Sequence, residues 1–149
     1  MGRGVLQMLV STKGRYALRV MVDLADHRAQ GRVPLKEIAE RQGISEKYLE
    51  NILSTLVRNG VLSGMRGKGG GYRLTKDPEQ YTVGEILRLT EGSLAPVSCL
   101  DGGQNGCDRA AECPTIGMWT KLDEMINGYL DSVTIADLQS QPRGFDYVI

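Results

Sequence analysis

Apolar side chains recur at three- and four-residue intervals in five stretches of this chain, and that spacing predicts five helices, each with one buried face. The first runs from about Thr12 to Asp26, TKGRYALRVMVDLAD, with Tyr16, Ala17, Val20, Met21 and Leu24 on one side. After the turn-like HRAQGR, the segment PLKEIAERQGI begins a second helix near Pro34, turns Leu35, Ile38 and Ala39 inward and stops at Gly43. A third, capped by Ser45, passes through EKYLENILSTLVRN to Gly60 with Leu49, Ile52, Leu53 and Leu56 inward. Two short helices joined at a glycine-containing turn make a helix-turn-helix. At its centre, Ala39 permits close approach, Gly43 accommodates the turn, and Ile44 with Leu49 locks the pair. Any helical hairpin shows such a pattern, so by itself it leaves DNA binding open.

The pattern then changes period. VLSGMRGKGGGYRLTKD reads as two short strands, Val61 to Met65 and Tyr72 to Thr75, joined by a glycine-rich basic loop. That is a wing, with Arg66 and Lys68 at its tip and glycines that let the backbone approach a sugar-phosphate chain. A nucleotide-phosphate loop is the rival reading, but it needs G-x-x-x-x-G-K-[ST], and here Lys68 is followed by Gly69. A fourth helix, TVGEILRLTEG from about Thr82, closes the unit with Val83, Ile86, Leu87 and Leu89. The last, from about Pro114 to Val133, carries Trp119, Leu122, Ile126, Tyr129 and Val133, widened by Met118, Met125 and Leu130. Such a stripe packs against its own domain or against a second copy. The second is expected, because a winged helix has its own core and a two-fold operator needs two copies.

Charge sharpens the picture. The net charge of the 149 residues is zero, yet residues 1–80 hold 14 Lys and Arg against 8 Asp and Glu, while residues 81–149 hold 4 against 10. A basic first half suits a polyanion; clustering of solvated charge gives the same count. The length allows one domain, or a small domain with an appendage, that folds without disulfides. No run of about 18 apolar residues is present to span a bilayer, and MGRGVLQMLVS is too short and too weakly apolar for a secretory signal. A cytoplasmic protein is expected, with Met8 a second candidate start. One histidine and no paired carboxylates in a pocket-like context leave no acid-base machinery, so an enzyme is not expected.

Cys99, Cys107 and Cys113 form C-x7-C-x5-C within a polar, glycine-rich loop, SLAPVSCLDGGQNGCDRAAECPT. An odd number of cysteines in a cytosolic setting argues against a disulfide framework. Structural zinc sites usually pair ligands at C-x2-4-C, which neither spacing matches. Thiolates on a pliable loop suit an iron-sulfur cluster, since soft sulfur ligands must wrap a multi-iron ion. The spacing alone leaves zinc and a thiol redox sensor open.

Taken together, STKGRYALRVMVDLA, LKEIAERQGISEKYLENIL, the wing RGKGGGYRL, and TVGEILRLTEG followed by the cysteine loop make the chain, from about Met8 to Leu138, similar to the IscR-type iron-sulfur regulators. Their relatives include the nitric oxide sensor NsrR and the cysteine-metabolism repressor CymR. The resemblance implies that the helix from Ser45 enters the major groove of DNA and that Arg66 reaches the minor groove. By position, Ser45, Glu46, Lys47, Tyr48, Glu50 and Asn51 form the groove-facing set, Lys13 and Arg15 are available to phosphates, and Lys68 joins Arg66 on the wing. It also implies that Cys99, Cys107 and Cys113 ligate a cluster, 2Fe-2S first and 4Fe-4S as the alternative. The fourth ligand does not carry over. The IscR pattern has a histidine three residues after the last cysteine, where this chain has Ile116, and the NsrR carboxylate from the partner's first helix falls at Arg15. Nearby donors are Asp101, Asp108 and Glu112; His27, at the end of the first helix, reads as a solvated helix-end residue.

The expectation is a mainly α fold with a small β wing. A winged helix-turn-helix domain would span 8–91, a cysteine cluster-binding loop 92–114, and a dimerisation helix with a C-terminal segment 115–138. The expected function is a homodimeric DNA-binding transcriptional regulator, a repressor, on a pseudo-palindromic operator in double-stranded DNA, sensing iron-sulfur status, redox state or nitric oxide. The alternative is a cluster-free repressor that answers to thiol oxidation or a partner enzyme, as CymR-like proteins do.

Overall fold

The computed structural model describes residues 10–97, 100 and 113–142. The candidate start at Met8, the expected ligands Cys99 and Cys107, and the candidate oxygen donors Asp101, Asp108 and Glu112 lie outside the described residues. Among those described, the elements are helix α1 (Thr12–Asp26), α2 (Leu35–Gln42), α3 (Glu46–Arg58), strands β1 (Leu62–Met65) and β2 (Gly71–Leu74), then α4 (Val83–Glu91), α5 (Ile116–Ser132) and α6 (Ile135–Gln139). Short 3-10 turns follow α1 at Arg28–Gln30 and precede α4 at Pro78–Gln80.

Local chemistry starts and stops these helices where the sequence pattern does. Ser11, Ser45 and Thr82 each accept a hydrogen bond from a first-turn N–H, at 3.2, 3.2 and 3.0 Å. Gly43 ends α2 in the left-handed conformation, φ 66°, which a residue with a Cβ rarely adopts. β1 and β2 pair antiparallel, Leu62 opposite Leu74 and Met65 opposite Gly71. Beyond them Val33 bridges Tyr72 with paired bonds of 2.8 and 2.9 Å. Gly71, φ 142°, lies against the Val33 carbonyl, so any side chain there would collide with backbone.

The core is built from α1, α3, α4 and the strand bases, with Val20, Met21, Leu49, Ile52, Leu53, Leu56 and Ile86 fully buried. Ile135 of α6 is fully buried in the same core, so the C-terminal segment contributes to it. A capping box starts α6, with Thr134 and Asp137 exchanging backbone-to-side-chain bonds of 2.9 and 3.0 Å. The long helix α5 differs from all the others in burying none of its residues; Met118, Met125 and Tyr129 are exposed. Arg88 of α4 holds it, donating to both Asp131 carboxylate oxygens at 2.9 Å and to Asn127 at 2.8 Å. Gly84 makes room for the Asp131 carboxylate, which would otherwise meet a Cβ.

Candidate nucleic-acid interface and cysteine loop

Helix α3 has two distinct faces. Leu49, Ile52, Leu53 and Leu56 are sealed in the core, while Ser45, Glu46, Lys47, Glu50 and Asn51 lie exposed along the opposite side of the first turns. Ser45 also caps the helix, so its hydroxyl already accepts the Tyr48 N–H at 3.2 Å. Tyr48 behaves differently from its exposed neighbours: it is half-buried, with its ring edge-on to Tyr16 at 5.9 Å between centroids. Lys13, half-buried on α1, donates to the hydroxyl of Thr55 on α3 at 3.2 Å. Arg15 is exposed and donates to Thr12 at 3.2 Å.

A polar knot, which the sequence pattern did not single out, fixes the helix-turn-helix to α1. Asp23 sits on the inner side of α1 with its carboxylate 1% exposed, yet it has no shortage of partners. Arg41 approaches it side-on, Nε at 2.9 Å from one oxygen and a terminal nitrogen at 2.8 Å from the other, and Gln42 donates at 2.8 Å. Arg19 in turn donates to the side-chain and backbone oxygens of Gln42, the last residue before the Gly43 turn, and lies 5.0 Å over the Tyr16 ring. The sequence signal for this knot is faint: an acid three residues after Val20, next to a buried stripe.

The wing tip is a tight turn in which the Gly70 N–H donates to the Gly67 carbonyl at 2.9 Å. Gly67 and Gly69 take positive φ, 89° and 77°, and Gly70 lies against the Met65 carbonyl. Arg66 and Lys68 stand exposed on this turn.

Of the three cysteines only Cys113 is among the described residues. It is half-buried just ahead of α5, its sulfur 3.2 Å from the Thr115 hydroxyl. That hydrogen bond, helped by the backbone N–H groups of Thr115 and Ile116, lowers the thiol pKa from its ordinary value. Lowering favours the thiolate, the form that ligates metals and attacks oxidants. No group of three or more His, Cys, Asp or Glu capable of holding a metal occurs among the described residues. His27 caps α1 with Nδ1 2.7 Å from the Asp23 carbonyl, so Nδ1 carries the proton in that contact. Glu91, the last residue of α4, is a further residue the pattern missed: its carboxylate accepts from the backbone N–H and the hydroxyl of Ser11. The residue that leads into the cysteine segment thus holds the N-terminus of the helix that carries Lys13 and Arg15. Gly14 is the residue that allows Glu91 so close.

Comparison with known proteins places this geometry. Residues 10–141 match the model of the Rrf2 family, described as iron-dependent transcriptional regulators. The chain is 42% identical over 131 residues to the HTH-type transcriptional regulator IscR of Serratia proteamaculans, covering 88% of this chain and 79% of that protein. To IscR of Klebsiella pneumoniae it is 41% identical over 139 residues, covering 93% and 84%. Among solved structures it is similar to CymR, the global cysteine regulator of B. subtilis, at TM-score 0.73 and 36% identity over 90% of this chain and 98% of that one. It is also similar to T. potens IscR, at TM-score 0.69 and 37% identity over 97% and 99%. No helix among the described residues is long and apolar enough to cross a membrane.

Proposed function

The chain belongs to the Rrf2 family of transcriptional regulators, and from that premise we propose that it binds a pseudo-palindromic operator as a homodimer, under the control of an iron-sulfur cluster held by Cys99, Cys107 and Cys113. As a member of a family of regulators it is a DNA-binding protein and not an enzyme. The exposed face of α3 is the major-groove reader in this reading, with Glu46, Lys47, Glu50 and Asn51 at base edges and Ser45 at the helix N-terminus beside a phosphate. Tyr48 braces the reader through Tyr16, and Lys13, held at Thr55, lies at the backbone-facing end with Arg15. Arg66 and Lys68 reach the flanking groove.

The observation that carries the dimer is α5, a 17-residue helix with an apolar stripe and no buried residue. Trp119, Leu122, Ile126 and Leu130 are only partly covered within the chain, and Met118, Met125 and Tyr129 are more than half exposed. A second copy of the same helix is the self-complementary cover that two-fold symmetry supplies.

Cluster binding is supported by the donor chemistry. Three soft thiols stand close in sequence, and the one described, Cys113, is biased toward thiolate by Thr115. An iron-sulfur cluster, when bound, supplies redox-active iron that reacts with oxidants or nitric oxide. The 2Fe-2S form is the first assignment and the 4Fe-4S form the second, with the fourth ligand drawn from Asp101, Asp108, Glu112, His27 or an exchangeable small molecule. Cys113, with its depressed pKa and partial exposure, equally suits direct thiol oxidation, and this keeps a cluster-free, CymR-like repressor as the second reading.

An anaerobic absorption spectrum with iron and sulfide quantitation separates the two. The cluster reading expects a chromophore that is lost in Cys99→Ala, Cys107→Ala and Cys113→Ala, with altered affinity for an operator duplex selected by the wild-type protein from random DNA. Colourless anaerobic protein, or three variants that bind that duplex as the parent does, would overturn it in favour of the second reading.

A further inference from the structure

Among the described residues Tyr81 is the bulkiest side chain with no exposure to solvent, and its hydroxyl is aimed at the base of the wing. It donates to the Val61 carbonyl at 2.9 Å and accepts the backbone N–H groups of Thr75 and Lys76, each at 2.9 Å. Val61 immediately precedes β1, and Thr75 and Lys76 immediately follow β2, so one buried oxygen ties together the two ends of the hairpin. The Thr75 hydroxyl joins the knot, 3.2 Å from the Tyr81 oxygen and 3.0 and 3.1 Å from the carbonyls of Gly60 and Val61. The Lys76 ammonium lies 4.9 Å over the ring. On its backbone side, Tyr81 accepts the Ile135 N–H at 3.0 Å, and Val83 donates to the Val133 carbonyl at 2.8 Å. The same residue therefore meets the junction between α5 and α6.

Packing does not explain this hydroxyl. A phenyl ring would fill the same volume, whereas a buried phenol oxygen is tolerated only when it is hydrogen-bonded. Its backbone partners all lie at the hairpin ends. A two-stranded hairpin with four-residue strands is marginal by itself, and whatever sets the angle of its base sets the position of Arg66 at its tip.

We propose that Tyr81 is a positioning residue for DNA binding, whose hydroxyl fixes the wing at one angle to α4 and to the end of α5 so that its basic tip meets DNA pre-organised. The inference rests on the reading that the wing contacts DNA. Loss of the hydroxyl widens the range of wing orientations, and ordering the tip on DNA then costs affinity.

The test is a double-mutant cycle in the anaerobically purified full chain, read by fluorescence anisotropy on an operator duplex selected by the parent protein from random DNA. Tyr81→Phe is expected to raise the Kd about five- to tenfold, at the low end of the roughly five- to 150-fold loss set by removing a base-reading arginine. Arg66→Ala should then cost less in the Tyr81→Phe background than in the parent, since residues acting through one contact are not additive. Lys47→Ala, on α3, should cost the same in both. Amide exchange at Thr75 and Lys76 and across 66–71 should accelerate. Thr75→Val, which removes the neighbouring hydroxyl, should act in the same direction and serves if Tyr81→Phe melts below the assay temperature. A parent-like Kd in a folded Tyr81→Phe protein, or full multiplicativity with Arg66→Ala, overturns the positioning role while leaving the wing contact intact. An Arg66→Ala parent with unchanged Kd overturns the wing contact, and this role falls with it.

Discussion

Replacing Asp23 with Ala removes the carboxylate on which α1 and α2 converge, and the structure sets the scale of the damage. Three hydrogen bonds disappear, from Arg41 at 2.9 and 2.8 Å and from Gln42 at 2.8 Å. Breaking a fully buried ion pair costs about 3–5 kcal/mol, and an exposed one at most about 1 kcal/mol. This pair lies between the limits, because Asp23 is 1% exposed but the Arg41 side chain is 32% exposed and can regain water. An intermediate loss of about 2–3 kcal/mol is expected, which for a chain of this size lowers Tm by roughly 5–10 °C. The Asp23 hydrogen bond raises the Arg41 pKa above an ordinary value that is already high, so Arg41 stays cationic at any working pH. Thermal and urea unfolding followed by circular dichroism, at fixed protomer concentration, measure the loss. A cycle with Arg41→Ala should return a coupling of about 1–2 kcal/mol. A total loss under about 0.5 kcal/mol, or strict additivity with Arg41→Ala, would refute the claim that this knot holds the helix-turn-helix against α1.

Three further outcomes are expected. Arg66→Ala should weaken binding to the selected operator by about 1–3 kcal/mol, whereas Lys68→Ala should weaken all duplexes alike and flatten the salt dependence, both measurable by anisotropy titrations at several salt concentrations. Ile126→Asp places a charge in the apolar stripe of α5 and should yield monomers with weak operator binding; a dimer persisting at low micromolar concentration in light scattering would show that the stripe is not the seam. In a Cys99→Ala, Cys107→Ala background, Cys113 should be alkylated by iodoacetamide with a midpoint below that of a free-cysteine peptide. The sign follows from the depressed pKa, which populates thiolate at lower pH; adding Thr115→Ala should move the midpoint up, and no movement would remove Thr115 as the cause.

The arrangement around α1 gives these expectations a common frame. Its N-terminus is held by Glu91 at the entrance to the cysteine segment, its first turn meets α3 through Lys13 and Thr55, and its last turns hold α2 through Asp23. A change at either end of α1 therefore has a short covalent and hydrogen-bonded path to the exposed face of α3. Two-state control of an operator-binding helix needs such an element with different contacts in its two states.

Periodicity was enough to locate α1 through α5 and the hairpin, because burying one face of an amphipathic segment leaves its mark within the segment itself. The third helix illustrates this: Leu49, Ile52, Leu53 and Leu56 were expected inward and are fully buried. The mainly α fold with a small β wing, and membership in a family of DNA-binding regulators, were legible in the same way from short contiguous motifs. The turn at Gly43 was legible too, since the residue type states the backbone conformation. Side-chain partners were not. Ser11 and Glu91 are 80 residues apart, Arg88 and Asp131 43, and Asp23 and Arg41 18; nothing in either sequence neighbourhood names the other. Tyr48 and Lys13 show the same gap, for their residue types suit a DNA face while their neighbours on α1 and α3 decide where ring and ammonium rest. The short helix α6 falls in between. Its capping box, Thr134 with Asp137, is a local signal present in the chain, but the burial of Ile135 beneath α1 is a property of the packed core. Hydrophobic burial is proportional to area and indifferent to partner, so a sequence can specify it one segment at a time; a hydrogen bond needs two atoms within about 3 Å, and only the assembled fold brings them there.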